Sequence, residues 1–195
     1  MQYSCLFIQD GYIYSMSDEN KIIEGAINGD ENCCEKILNL YKTRIFSYIL
    51  RIIKNYDDAE ELTFETFIRF FKSIRSFDKT KPLSPFLLSI AHNLVIDFLR
   101  KNKIDYEYID EMHTGSVDFV EKYKKDKRLQ ALEQALEKLA PIDREIIILF
   151  HKEELSYQEI GKILNLPLTT IKTRLHRARN RLKELLKKDF SKNGI

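Results

Sequence analysis

Residues 156–188 read SYQEIGKILNLPLTTIKTRLHRARNRLKELLKK, and their pattern predicts two helices joined by a tight turn. Ser156 is a good helix N-cap, and Glu159 follows it at the spacing of a capping box. Asn165 tolerates the left-handed backbone conformation in which helices often end. Pro167 has no backbone donor and a fixed φ, so it suits the start of the second helix.

The second predicted helix has one apolar side and one basic side. Residues 168–188 hold eight lysines and arginines but only one acid, Glu184. Acids are therefore missing from the i+4 positions that would pair the charges of a solvated helix face. A short helix, a tight turn and a basic amphipathic helix predict a helix-turn-helix, whose second helix enters the DNA major groove. The apolar side consists of Ile171, Leu175, Ala178, Leu182 and Leu185.

Charge is unevenly distributed along the 195 residues, although the net charge is only +2. Residues 105–127 carry a net charge of −3, and residues 128–195 carry +5. Nucleic-acid affinity depends on where basic residues cluster rather than on their total number. The distribution therefore supports DNA binding by the C-terminal part of the chain.

Residues 17–103 predict a first domain that is almost entirely helical, because apolar side chains recur at helical spacing. Asp57 or Asp58 is the predicted cap of its third helix, and Pro85 is predicted to open the fourth. The predicted helices of this domain cover residues 17–26, 32–53, 59–74 and 86–103.

The rest of the chain completes an all-α fold of two small helical domains. Residues 1–16 form an N-terminal extension, either a short strand or a disordered arm. Residues 104–127 lose helical periodicity and turn acidic, which predicts a flexible linker between the domains. Residues 128–190 form the second domain, with two supporting helices before the helix-turn-helix.

The third predicted helix has a second apolar surface beside its main stripe. Phe64 and Ile68 lie off the centre of that stripe, and Glu61 and Glu65 flank them. An apolar surface with an acidic border suggests docking to another protein. Packing of both side chains under a neighbouring helix is the alternative, and the sequence leaves the two open.

The segment 75–85, RSFDKTKPLSP, predicts a loop that combines Lys79 and Lys81 with the aromatic Phe77. The helix that follows ends in Arg100 and Lys101. Basic residues at a helix C-terminus complement the helix dipole. Beside a polar and aromatic loop they also fit a surface for single-stranded nucleic acid.

Cysteine and apolar content exclude several classes of protein. The three cysteines, Cys5, Cys33 and Cys34, lack C-x-x-C spacing, which argues against a disulfide framework and against structural zinc. We expect no cofactor and no metal. No apolar run approaches the length of a membrane span, and the N-terminus lacks the basic region of a signal peptide, so we expect a cytoplasmic protein.

Three segments together resemble an extracytoplasmic-function (ECF) sigma factor, a promoter-specificity subunit of bacterial RNA polymerase. They are DAEELTFETFIRFF at 58–71, PFLLSIAHNLVIDFLRKNK at 85–103, and LEKLAPIDREIIILFHKEELSYQEIGKILNLPLTTIKTRLHRARNRL at 136–182. The similarity covers about 18–188 in the right order and spacing. It implies core RNA polymerase (β′ clamp helices and β flap), promoter DNA and an anti-sigma factor as partners.

The resemblance also implies three sets of binding residues. The third helix would dock on the clamp helices through Glu61, Phe64, Glu65 and Ile68. The loop and the fourth helix would open and read the −10 element through Phe77, Lys79, Lys81, Phe86, His92, Asn93, Arg100 and Lys101. The recognition helix would read the −35 element through Thr170, Lys172, Thr173, Arg174, His176 and Arg177.

Two other classes compete with a sigma factor. A polymerase-independent helix-turn-helix regulator of LuxR-like type would bind its operator alone and carry a sensing or dimerising domain. An enzyme is disfavoured because the histidines are scattered and no HExxH, GxSxG or P-loop spacing occurs.

Overall fold

The computed structural model describes residues 7–9, 12–14, 16–102 and 127–193, and these ranges are mainly helical. The all-α prediction is confirmed. The predicted linker, apart from its last residue, lies outside the described residues. The first half contains α1 (Met16–Ile27), α2 (Glu31–Ile53), α3 (Tyr56–Ser73) and α4 (Leu83–Lys101). The second half contains α5 (Lys127–Glu137), α6 (Pro141–His151), α7 (Tyr157–Ile163) and α8 (Leu168–Asn193).

The N-terminal extension contains a short β-hairpin, so the strand alternative is the one observed. β1 (Phe7–Gln9) pairs antiparallel with β2 (Tyr12–Tyr14). An isolated two-stranded hairpin has only marginal stability of its own. The fold therefore depends on the helices that follow.

The boundaries of α3 and α4 differ from the prediction. Asn55, not Asp57 or Asp58, is the N-cap of α3, and its side chain accepts a hydrogen bond from the Asp58 amide. The two aspartates instead occupy the first turn, where they favour the helix dipole. α4 begins before Pro85, which lies inside its first turn.

Most of the apolar faces of α1, α2, α3 and α4 meet in one core. Among its fully buried side chains are Tyr48, Phe70 and Leu87. α1 and α2 approach closely at Gly25, where an added Cβ would lie 2.3 Å from Cys33 Sγ. This contact leaves no room for a larger residue at position 25.

α4 is long and apolar enough to span a membrane. The sequence pattern had not indicated an apolar segment of that length. Among the described helices it is the one that meets both conditions. Half of its apolar window is buried inside the protein, and it packs against α2 and α3. These contacts are typical of the core helix of a folded domain.

The second domain packs α6 and α7 against the recognition helix α8. Ile146, Leu149 and Ile160 are fully buried there. The buried Arg144 guanidinium donates to the carbonyl oxygens of Leu136 and Glu137 at 3.0 and 2.7 Å. These bonds satisfy carbonyls that the end of α5 would otherwise leave without donors.

Candidate nucleic-acid interface

The predicted helix-turn-helix is confirmed at both ends of α7. Ser156 Oγ accepts a hydrogen bond from the Glu159 amide at 3.3 Å, and Glu159 Oε2 accepts one from the Ser156 amide at 2.8 Å. Asn165 adopts the left-handed conformation with φ 52°. The Leu166 amide then donates to the Gly161 carbonyl oxygen at 2.9 Å. The left-handed Asn165 and the bond from Leu166 set the direction in which α8 leaves α7.

α8 buries its predicted apolar side at Ile171, Leu175 and Ala178. Burial of these three side chains turns the polar side of the helix outward. Thr170 and Arg174 are half-buried at the edge of that side. Its exposed residues are Thr169, Lys172, Thr173, His176, Arg177 and Arg181.

Two of the predicted −35 residues are engaged by the rest of the domain. Arg174 Nη1 donates to Asp143 Oδ1 at 2.9 Å, an ion pair that joins α8 to α6. Lys172 Nζ lies 6.0 Å from the centroid of the Tyr157 ring. These contacts with the rest of the domain orient the Arg174 guanidinium and the Lys172 ammonium group.

The other residues of this face are free or bound only within α8. Thr173 Oγ1 donates to the Thr169 carbonyl oxygen at 2.9 Å. Asn180 Nδ2 and His176 Nε2 lie 3.0 Å apart. Arg177 makes no hydrogen bond or ion pair with another described residue. Its guanidinium is therefore fully available to a ligand.

The two predicted −10 aromatics are not an open stacking platform. Phe77 is buried, and its ring centroid lies 5.1 Å from that of the half-buried Phe86. Phe86 also contacts the Phe70 ring edge to face, at 6.2 Å. Both rings therefore support the loop from below.

The charged −10 candidates lie at both ends of α4. Lys79 pairs with Glu24 at 2.9 Å, and Lys81 pairs with Asp78 at 2.8 Å. Hydrogen bonds from Lys81 and Thr80 hold the pKa of the Asp78 carboxyl well below its usual range. The remaining candidates on α4 that are exposed are Asn93, Arg100 and Lys101.

His92, which the resemblance assigns to the −10 surface, does not face outward. It is buried, and its Nδ1 lies 2.9 Å from Glu145 Oε1 of the second domain. Since a carboxylate only accepts hydrogen bonds, the imidazole is the donor in this pair. The Tyr48 hydroxyl donates to the same carboxylate oxygen. Burial, and then the Glu145 charge, raise the pKa of Tyr48 well above its usual value.

The second surface of α3 remains uncovered. Phe64 is 48% exposed and Ile68 is 46% exposed, so the alternative that both pack under a neighbouring helix is wrong. Glu61 is exposed beside them, and Glu65 pairs with Arg69 at 2.9 Å. The surface is apolar with an acidic border, as predicted.

A groove on the second domain was not predicted from the sequence. Its volume is about 330 Å³, and it lies between α6 and the C-terminal half of α8. Arg179 Nε donates to His151 Nε2 at 3.1 Å at its rim. Burial, followed by the Arg179 charge, lowers the pKa of His151. The groove is lined by Ile147, Leu182 and Leu186 and rimmed by His151, Arg179, Lys183 and Lys187.

Contacts between the two domains were also missed by the sequence reasoning. Arg44 of α2 forms an ion pair with Glu153, which is buried in the second domain. The one available signal was Tyr48, since a tyrosine in an apolar stripe needs a partner for its hydroxyl.

Within the described residues, no group of His, Cys, Asp and Glu side chains is arranged to hold a metal ion.

Comparison with known proteins assigns both halves of the chain. Residues 37–104 match Sigma-70 region 2, and residues 129–182 match Sigma-70, region 4. The ECF RNA polymerase sigma factor SigW of Bacillus subtilis is 35% identical over 180 residues, covering 86% of this chain and 96% of SigW. The chain is an ECF sigma factor. The ECF RNA polymerase sigma factor SigE of Mycolicibacterium smegmatis is 33% identical, over 82% of this chain and 64% of SigE.

A solved structure agrees with this assignment. The sigma factor RpoE of Bartonella quintana, in complex with the anti-sigma factor NepR, matches this sigma factor with a TM-score of 0.66 and 29% identity. The match covers 78% of this chain and 96% of RpoE. The function of this chain is therefore that of an RNA polymerase sigma factor. The polymerase-independent regulator is not favoured.

Proposed function

We propose that this sigma factor reads promoters through two separate surfaces while two others hold it on core polymerase. The domain of residues 17–103 binds polymerase and the −10 element, and the domain of residues 128–190 binds the −35 element. Residues 104–127 join them. The observation that carries the proposal is the exposed polar face of α8, which is turned outward because Ile171, Leu175 and Ala178 are buried on the opposite side.

On the −35 element, α8 enters the major groove. Arg177 and Lys172 suit guanine, which presents two acceptors there, whereas Thr173 and His176 contact bases or nearby backbone. Thr170 and Arg174 lie at the edge of the face and contact phosphate. Phosphate contacts fix the register, and base contacts give sequence preference.

On the −10 element, α4 and the preceding loop hold single-stranded DNA. Lys79, Lys81, Arg100 and Lys101 supply positive charge for the backbone. Asn93 is exposed between the two basic ends of this surface and offers both a donor and an acceptor to a base. Phe77 and Phe86 stiffen the loop, and His92 takes part once the second domain moves away.

Two apolar surfaces provide docking sites for the polymerase. Glu61, Phe64, Glu65 and Ile68 of α3 dock on the β′ clamp helices, supported by the exposure of both apolar side chains. The groove between α6 and α8 accepts the β flap, supported by its apolar floor and basic rim. Apolar anchors inside a polar rim are typical of protein interfaces.

An anti-sigma factor is a further partner in this proposal, and the cytoplasm is its location. Support for the partner comes from RpoE, which is 29% identical and was solved with the anti-sigma factor NepR. Such a protein would compete with polymerase for the same exposed surfaces.

Selection of genomic DNA fragments tests the proposal against the LuxR-like alternative. Sheared DNA from the source bacterium is incubated with the protein alone, with core polymerase alone, and with both, and the retained fragments are sequenced. We expect enrichment of promoter fragments with two conserved elements only when both are present. Equal enrichment by the protein alone would support the regulator instead.

A further inference from the structure

The first helix carries a buried carboxylate that takes no part in the proposed DNA and polymerase contacts. Glu19 lies in the first turn of α1 and is 8% exposed. The Tyr41 hydroxyl of α2 donates a hydrogen bond to Glu19 Oε1. The backbone amide of Leu83 donates to the same carboxylate. Glu19 therefore joins α1 both to α2 and to the start of α4.

The start of α4 depends on an acceptor from another helix. Leu83 is the first residue of α4, so its amide has no carbonyl partner within that helix. The N-cap residue is Pro82, whose side chain has no polar atom and makes no capping bond. Leu83 is fully buried, and a buried amide that lacks an acceptor is costly. Glu19 supplies the acceptor that the sequence around Pro82 does not.

The segment that leads into α4, residues 77–82, is here called the −10 loop. Its interior is ordered by Asp78, whose Oδ1 accepts hydrogen bonds from the Thr80 amide at 3.1 Å and the Thr80 hydroxyl at 2.6 Å. The buried Phe77 anchors its first residue in the core. The loop therefore has a defined shape, and its placement depends on what holds its two ends.

α1 contacts the −10 loop region at two points of different strength. Lys79 pairs with Glu24 of α1 at 2.9 Å, but both side chains are exposed, and exposed pairs contribute little. Lys79 is also a proposed contact to the DNA backbone, so DNA would compete with Glu24 for it. The bond between Glu19 and the Leu83 amide is buried and remains when DNA binds.

We propose that Glu19 is a positioning residue, which sets the −10 loop at the start of α4 for reading the −10 element. It acts through the Leu83 amide and does not touch DNA itself. Lys79 and Lys81 lie only a few positions before Leu83, so the placement of this amide sets where both cations leave the loop. The inference rests on the proposed function, because this placement affects promoter reading only if the loop contacts the −10 strand.

Three variants of the full-length chain separate positioning from stability. Glu19→Met keeps a long side chain, but its sulfur is only a weak acceptor for the Leu83 amide. The double variant Glu19→Met/Tyr41→Phe also removes the hydroxyl that has lost its acceptor, so it should recover stability without recovering the bond to Leu83. Glu19→Gln keeps a carbonyl oxygen and is the conservative variant.

Three measurements are made on each variant. Urea denaturation gives the free energy of unfolding, and hydrogen exchange of the free protein reports on residues 77–83. Promoter reading is the affinity of the assembled holoenzyme for a fragment from the genomic selection, relative to copies in which the −10 or the −35 element is scrambled.

We expect faster exchange at residues 77–83 in Glu19→Met and in the double variant. Both should lose about two- to tenfold of the preference for the intact −10 element, the range expected for one hydrogen bond. Their preference for the intact −35 element should not change, because α8 is untouched. Glu19→Gln should keep wild-type exchange and wild-type −10 preference.

Recovery of the −10 preference together with stability in the double variant would overturn the positioning role, since it would show that Glu19 acts only through stability. Unchanged exchange or an unchanged −10 preference in Glu19→Met and the double variant would overturn it as well, as would an equal loss in Glu19→Gln. If the wild-type holoenzyme has no preference for the intact −10 element, the proposed function fails instead. Hydrogen exchange then decides by itself whether Glu19 holds the loop.

Discussion

Arg177 is the side chain of the recognition helix with the most freedom to bind a base. It is exposed and makes no hydrogen bond or ion pair with another described residue. We expect Arg177→Ala to weaken −35 recognition by about 1–3 kcal/mol, the usual loss for one good base contact. Binding of the assembled holoenzyme to promoter fragments with intact and altered −35 elements measures this loss.

Lys36→Ala provides the comparison for Arg177→Ala. Lys36 is exposed on α2, so its removal changes the net charge equally without touching α8. Only Arg177→Ala should weaken binding of the holoenzyme to the intact fragment. The difference in affinity between Arg177→Ala and wild type should be smaller on the fragment with the altered −35 element. A uniform loss on both fragments would mean that Arg177 contacts phosphate rather than a base.

Glu19 links the stability of the first domain to pH. Burial raises its pKa, and the hydrogen bond from the Tyr41 hydroxyl opposes this only in part. A raised pKa means that the folded state binds the proton more tightly than the unfolded state does. Protonation therefore stabilises the folded state; this stabilisation is complete below the pKa of the unfolded state and is lost as the pH rises through the pKa of the folded state. We therefore expect Glu19→Gln, which is always neutral, to exceed wild type in free energy of unfolding at pH 7.

Urea denaturation at pH 7 and pH 4 measures the effect of Glu19→Gln. The advantage of the variant should be present at pH 7 and should diminish at pH 4, where the wild-type carboxyl is mostly protonated in both states. Glu35→Gln, at an exposed position of α2, is the control for the amide substitution itself. An advantage of Glu19→Gln that is equal at both pH values would contradict the raised pKa.

The capping box at the start of α7 contributes to the stability of the helix-turn-helix. Ser156 and Glu159 satisfy each other's backbone amides at the start of α7. We expect Ser156→Ala to lower the free energy of unfolding by about 1 kcal/mol, the typical cost of losing an N-cap. Gln158→Ala, at an exposed site in the same turn, should cost much less in the same urea titration.

The exposed surface of α3 should contribute affinity for core polymerase. Phe64→Ala and Ile68→Ala each remove an exposed apolar side chain, and we expect about tenfold weaker binding, the loss of a typical interface anchor. Tyr56→Ala is the matched variant, since Tyr56 is equally exposed near the start of α3 but outside this surface. Fluorescence titration of core polymerase compares them. Equal losses in all three variants would argue against a specific docking site.

Across the whole molecule, the features that could be predicted from the sequence are those that depend on neighbouring residues. Helical spacing, the Ser156 cap and the left-handed Asn165 depend on residues only a few positions apart, and each prediction was confirmed. The burial of His92 could not be predicted, because Glu145 is 53 positions away and belongs to another domain. No periodic pattern reports a contact of that kind.

The boundary errors have a similar physical origin. Asn55 competes with Asp57 and Asp58 for the cap of α3, and all three residue types are good caps. Only the backbone conformation decides among them, since the cap residue must be extended while the next residues are helical. Asn55 has φ −125° and ψ 128°, so its backbone is extended as a cap residue requires.

We propose that one chain reads two promoter elements and does so only when it is bound to polymerase. Run-off transcription with core polymerase tests it on a fragment from the genomic selection, compared with copies in which the −10 or the −35 element is scrambled. We predict a single transcript start with the intact fragment, strong loss with either scrambled copy, and none without the protein. Initiation that survives scrambling of the −35 element, or that the protein does not change, would contradict the claim.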